Sequence, residues 1–434
     1  MIGADRTPSG PGLWHATWTP TFVLFLVYVF IILTYRLPGA TIVMAAALLS
    51  LFLQREALRA PNFLGLFAAW MMWAILGYAA TPYPDVVWSA FIDYFKILLV
   101  TLVAVNALRT PTQVRYCMLF VLVSYVLFPV RSALTNYALG YTLAGRITGS
   151  FVYQNPNDLA SLTILALGLA LALWAGEPHR RLVRWIGLAS AAPLTLTIVL
   201  TQSRGAFIGL AAVAIPSVVA LARRRPRVAL GLTALVGLAL YVAPAALWQR
   251  LSGLGKATSV ETIGEMDPEG SAQQRLAVLQ TAIRIIEDRP VLGVGLGAYH
   301  QANRDYSPAL GSLDAHNAYV KVAAETGLPG LLLFLALLAT VVRSVLLARR
   351  RATLASPMQA ETLRWLLLGL LAHLITGLFR SFSLTFPYVY LALLWSASQT
   401  VATQHHLTSP APLQPDPTTT HTTANRHFEP PLRA

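Results

Sequence analysis

Apolar runs of roughly 15 to 23 residues recur along almost the whole chain, each long enough to cross a hydrocarbon layer about 30 Å thick as a helix. Runs of this length, rich in Leu, Ala and Val, leave few alternatives to a bundle of membrane helices. The short alternating segments of an outer-membrane barrel are absent. Composition agrees: of 434 residues 56% are hydrophobic and 12% charged, far from the balance of a soluble domain. The expected fold is an all-α, polytopic membrane protein.

About twelve candidate spans lie near residues 20–35, 39–54, 62–79, 86–107, 114–135, 157–174, 184–201, 205–221, 228–246, 328–347, 362–379 and 383–400. They divide the chain into membrane helices over 1–246, a large polar loop over 247–327, further membrane helices over 328–402 and a tail over 403–434. The first run, after a polar leader, is expected to be a retained span and not a cleaved signal. The tail is rich in Pro, Thr and His, a composition that cannot bury a core, and disorder is expected there. Its His405, His406, His421 and His427 follow no metal-site spacing and read as solvated.

The formal charge of +14 invites a nucleic-acid reading, which the distribution of the charge excludes. The arginines cluster in short connections on one set of alternate loops: Arg55/Arg59, Arg109/Arg115, Arg180/Arg181/Arg184, Arg223/Arg224/Arg225/Arg227 and Arg349/Arg350/Arg351. Positive loops of this kind mark the cytoplasmic side. The Tyr83-Pro84-Asp85 turn, the Arg131–Asn157 connection, the Gln202–Gly205 hairpin, the large loop and the Arg380 corner then face outward. An even number of spans puts both termini in the cytoplasm. Cys117, the single cysteine, lies in an apolar run, so no disulfide or thiolate metal site can form within the chain.

Outward arginines run against this preference and need a compensating role. Arg146, Arg204, Arg275 and Arg380 are the candidates. Arg204 sits in a turn too short to leave the interface, so its guanidinium either snorkels to headgroups or points into a cavity that binds phosphate. Asp93 and Lys96, three apart in the fourth span, are expected to neutralise one another inside the bundle.

The large loop carries the polar chemistry. Ser271-x-x-Gln274 has the form of a capping box, and Leu276, Leu279, Ile283 and Ile286 follow at helical spacing to a break at Asp288-Arg289-Pro290. Arg275 falls in the first turn of that amphipathic helix, where free backbone N–H groups already favour an anion. Gly293-Val-Gly295-Leu-Gly297 superficially fits a dinucleotide fingerprint, but it follows a broken helix and not a strand. Its glycines are expected to form a turn that brings backbone close to a ligand or to membrane helices. Asp314 is expected to cap a helix running through Tyr319 and Glu325 to Gly327 and Pro329, with His316 and Asn317 in its first turn. A histidine at that place has its neutral form favoured and suits a general base. Neither an HExxH pattern, nor a DxD-type cluster, nor a Walker loop occurs in a plausible place, so no metal or nucleotide cofactor is expected.

Set in order around one outward loop, Arg146-Ile-Thr-Gly149-Ser-Phe151-x-x-x-Asn155-Pro156-Asn157-x-Leu159-Ala160, Ser203-Arg204-Gly205-Ala206, Asp288-Arg289-Pro290-x-x-Gly293-x-Gly295, His316-Asn317-x-Tyr319 and Glu325-x-Gly327-x-x-Gly330 resemble the O-antigen ligase and polymerase family of bacterial inner-membrane glycosyltransferases. The resemblance implies a GT-C-type helical enzyme with its active site facing the periplasm. Its donor would be an undecaprenyl-diphosphate-linked glycan, transferred without a metal ion and with inversion to a sugar hydroxyl of lipid A core in lipopolysaccharide synthesis. Carried over residue by residue, His316, Arg275 and Arg204 become the catalytic set. Arg146, Asn157, Asn317 and Tyr319 become substrate contacts, and Arg380 joins them through its outward position alone. An O-antigen polymerase or a protein-directed oligosaccharyltransferase would share this donor chemistry and differ in acceptor. A lipid-linked-sugar flippase would need cavity arginines but no helix presenting a histidine.

Overall fold

A computed structural model of the protein describes residues 17–35, 37–54, 57–223, 271–381 and 385–408, with scattered positions between 226 and 248. Most of the expected span at 228–246, the loop from 249 to 270 and the tail beyond 408 lie outside the described residues. The helices are α1 (Pro20–Thr34), α2 (Ala40–Leu53), α3 (Asn62–Leu76), α4 (Pro84–Ala107), α5 (Pro111–Ala138), α6 (Pro156–Gly176), α7 (Arg181–Leu200) and α8 (Arg204–Ala222). After the break come α9 (Ser271–Asp288), α10 (Tyr299–Tyr306), α11 (Ala318–Ala355), α12 (Pro357–Thr376) and α13 (Thr385–Thr408). The chain is an all-α polytopic membrane protein. Among the described residues seven helices are long and apolar enough to cross a membrane, and Pro20–Thr34, Ala40–Leu53 and Arg204–Val219 are shorter apolar helices.

Helix starts follow the local chemistry. Pro stands at the first turn of α1, α4, α5, α6 and α12, where its missing N–H costs nothing. Thr110 and Gln113 close a capping box on α5, and Asn155 accepts from the Asn157 N–H to cap α6. Helix α6 is the most buried of the membrane-length helices, packed between α7 and α12. Its crossing with α12 rests on two glycines: a Cβ at Gly168 would stand 3.1 Å from the Gly369 Cα. The Tyr390 hydroxyl, donating to the Leu366 carbonyl at 2.9 Å, closes that contact from α13.

Two expectations change and a third holds. Asp93 and Lys96 do pair, at 2.9 Å, but with side chains 67% and 54% exposed they sit on the outside of the protein and not inside the bundle. Helix α13 runs to Thr408, so the expected tail is helical at its start, where hydrogen bonding continues past the apolar run. Helix α11 breaks at Gly327, as the Gly-x-Pro pattern implies, and its second part runs through the expected span at 328–347 to Ala355.

Candidate functional site

Tight backbone packing decides where the loop sits. Gly293, Gly295 and Gly297 all have positive φ, as does Gly327 at 71°. Those conformations let the glycine turn lie flat on the break in α11. The N–H groups of Val294 and Gly295 donate to the carbonyls of Ala324 and Glu325 at 2.9 and 3.0 Å, and Leu328 N–H donates to Pro290 at 2.8 Å. Helix α3 joins through Trp73 Nε1, which donates to Thr326 at 2.9 Å, and the following turn through Thr81 Oγ1, which donates to Val294 at 2.6 Å. The buried Glu325 carboxylate accepts from the Tyr299 N–H at the start of α10. Of the two readings of this glycine run, close approach to membrane helices is the one observed. A Cβ on Gly293 would stand 2.5 Å from the Ala324 carbonyl oxygen. Gly293→Ala is therefore expected to lower stability by about 1–3 kcal/mol through overpacking, and a thermal melt of the purified variant measures it.

His316 lies in the segment between α10 and α11 with φ at 49°, a left-handed conformation that a non-glycine residue holds only when its surroundings impose it. Asp314 is not the helix cap. Asn317 takes that place, accepting from the N–H groups of Tyr319 and Val320 at 3.1 Å each, and this moves His316 out of the first turn to a position just before it. One side-chain oxygen reaching two free N–H groups makes Asn317 the better cap. Asp314 instead accepts from Lys321 Nζ at 2.9 Å and lies 3.6 Å from His300 Nε2. The Tyr319 hydroxyl donates to the Leu374 carbonyl at 2.7 Å, fastening α11 to α12.

Burial holds the His316 imidazole below the ordinary histidine value of 6.5, with the Arg275 cation pushing the same way and Asp314 and Asp158 opposing. Arg275 is thus within electrostatic reach of His316, as the first turn of α9 requires. The expected capping box at Ser271 lies outside what the described residues show, since 249–270 and the Ser271 side chain are not among them. Burial would raise the Asp314 carboxyl; the Lys321 charge, Ser381 and the Lys321 hydrogen bond outweigh it and hold the group below its usual range.

Arg204 opens α8, and its neighbour Gly205 packs on Phe379, beside Arg380. Arg146 joins the two sides: its Nε donates to the Thr201 carbonyl at 2.7 Å and its Nη2 to Asn157 Oδ1 at 2.7 Å. The short hairpin of Thr142–Leu143 with Arg146–Ile147 is thereby tied to the turn before α8 and to the first turn of α6. Gln202, with φ at 49°, completes the tie by donating from Nε2 to Gly145. Arg380 is 3% exposed and places its Nε 2.9 Å from Asp158 Oδ1.

Asp158, Lys321, His300 and Ser381 escaped the sequence reading. Asp158 had a usable signal, since an acidic residue in the first turn of an apolar span is costly without a partner. Lys321, one turn into α11, carries the same signal. His300 and Ser381 have none, because only the folding of the loop brings them to Asp314. Among the described residues no three His, Cys, Asp or Glu side chains gather to hold a metal ion. What acts on His316 is one guanidinium, Arg275, with Lys321 and the carboxylates of Asp314 and Asp158.

The fold is that of a multi-pass membrane protein, with a cluster of charged and polar side chains where the loop meets its helices. Residues 188–335 match a family model described as O-Antigen ligase, a stretch running from α7 past the Gly327 break and containing Arg204, Arg275 and His316. Over that stretch, about a third of the chain, the sequence is similar to the O-antigen ligase family. Arg146, Asn157 and Arg380 lie outside the matched stretch. No curated protein matches the chain.

Proposed function

We propose that the protein is an O-antigen ligase that transfers a glycan from undecaprenyl diphosphate to a sugar hydroxyl of lipid A core, on the periplasmic face of a bacterial inner membrane. The observation that carries this reading is His316, held in a left-handed conformation just before the Asn317 cap of α11 and within electrostatic reach of Arg275, Asp314 and Asp158. The acceptor oxygen attacks the anomeric carbon as the bond to the diphosphate breaks. His316 takes the hydroxyl proton, and undecaprenyl diphosphate leaves from the opposite face, so configuration inverts. Negative charge grows on the phosphate oxygens, and the planar forks of Arg275 and Arg204 meet it in the role a divalent cation fills elsewhere. Arg146, Asn157, Asn317 and Tyr319 shape the substrate side of the site. The twelve-span, GT-C-like count is part of this proposal, with the span at 228–246 completing it.

The test is to incubate purified protein with diphosphate-linked glycan and lipid A core, without nucleotide or added metal. Glycan on lipid A is the expected product. A lengthened donor instead would make the protein a polymerase, glycan on an added acceptor peptide an oligosaccharyltransferase, and translocation without transfer a flippase. In the same assay Arg204→Lys is expected to lose roughly 10²- to 10³-fold in turnover although its charge is kept, because an ammonium cannot offer the bidentate fork. Unchanged turnover would assign Arg204 to headgroup contact.

A further inference from the structure

The corner between α12 and α13, residues 376–381, touches the elements that carry the site. Thr376 Oγ1 lies 2.6 Å from Ser161 Oγ on α6. Phe379 packs against Gly205, next to Arg204, so closely that a Cβ there would stand 2.7 Å from the Phe379 Cβ. Ser381, buried in the same corner, acts on the Asp314 carboxyl, two residues before His316. Between them Arg380, almost wholly buried, meets Asp158 at 2.9 Å. A buried guanidinium is tolerated only against a well-placed anion, so this pair fixes the distance between the corner and the first turn of α6.

Asp158 also faces His316 and Asp314. His316 is faced in turn by Arg275 of α9, Asp314 of its own segment, Asp158 of α6 and Lys321 of α11. The carboxylate of Asp158 therefore pairs with a permanent cation, Arg380, and acts electrostatically on the one that forms when His316 takes a proton. We propose that Arg380 and Asp158 are a positioning pair that locks α6, the start of α8 and the His316 segment into one alignment, and that Asp158 steadies the imidazolium formed during transfer. The proposal rests on the transferase reading of the same centre. It gives Arg380 a role without direct contact with substrate, and it makes Asp158 a working member of the site.

The test uses the full-length protein in lipid nanodiscs, as wild type, Asp158→Asn, Arg380→Gln and the double variant. His316 is titrated by NMR on histidine-labelled protein, its signal assigned by its loss in His316→Gln, and transfer is followed in parallel. With Asp158 neutral, His316 should titrate at lower pH than in the wild type. With Arg380 neutral, the unshared carboxylate should move the titration to higher pH, and the double variant should return it close to the wild-type position. Turnover should fall about 10- to 100-fold in all three, the scale of a small misalignment, with the KM for donor little changed. A purely structural pair would not displace the titration in opposite directions. Titrations that stay put or move together, or a double variant with wild-type turnover, would overturn the proposal. If a single variant fails to fold, the double variant leaves no uncompensated charge and carries the test. Failure of the wild type to transfer glycan would refute the transferase reading separately, while the titrations still report on the pair.

Discussion

His316→Ala is expected to lower the turnover of glycan transfer by about 10²- to 10⁴-fold, the worth of a placed general base. Its donor affinity should change little. His316 is lifted into place by its own left-handed backbone and by the Asn317 cap behind it, neither of which needs the imidazole. Folding should therefore survive the substitution, and size-exclusion behaviour and thermal stability check that separately from activity. The acid side of the pH profile carries a second expectation. Burial and Arg275 depress the His316 value below 6.5, so the neutral, proton-accepting form persists as pH falls through 6.5, and activity should be lost only below it. A midpoint above 6.5 in the acid limb of kcat/KM would argue that another group is the base.

Arg275→Ala is expected to cost roughly 10²- to 10³-fold in turnover through loss of charge stabilisation on the leaving diphosphate. The same substitution has a consequence of opposite sense for His316. Removing a cation that disfavours the imidazolium raises the His316 value, so the acid limb of the residual activity should move to higher pH. Lower turnover and an upward-shifted limb together identify Arg275 as both anion ligand and neighbour of the base. A loss of turnover with an unmoved limb would place Arg275 away from His316 and contradict the geometry.

Much of the membrane architecture was legible along the chain because a span is a local property: about twenty apolar residues suffice, whatever they pack against. The glycine run was legible in kind, since positive φ is a local demand, but not in its partner. That Gly293 and Gly295 lie on the carbonyls of Ala324 and Glu325 follows from a fold bringing together residues some thirty positions apart. The error at Asp314 shows the limit well. Asp314 and Asn317 are both good caps, and the choice between them turned on Lys321, which draws Asp314 into an ion pair and leaves the N–H groups to Asn317.

Of the site itself, the sequence by itself determined the residue types: a histidine, arginines and one large polar loop among lipid-soluble helices. Spacing and charge pattern act over short range, so they could carry that much. Only the tertiary structure decided the partners. Asp158 and Arg380 are more than two hundred residues apart, Arg146 reaches across to Thr201, and Ser381 meets Asp314. Each of these is a contact of charged or polar groups set where burial makes an unpaired charge expensive, and burial is a property of the packed bundle that no single stretch of chain possesses.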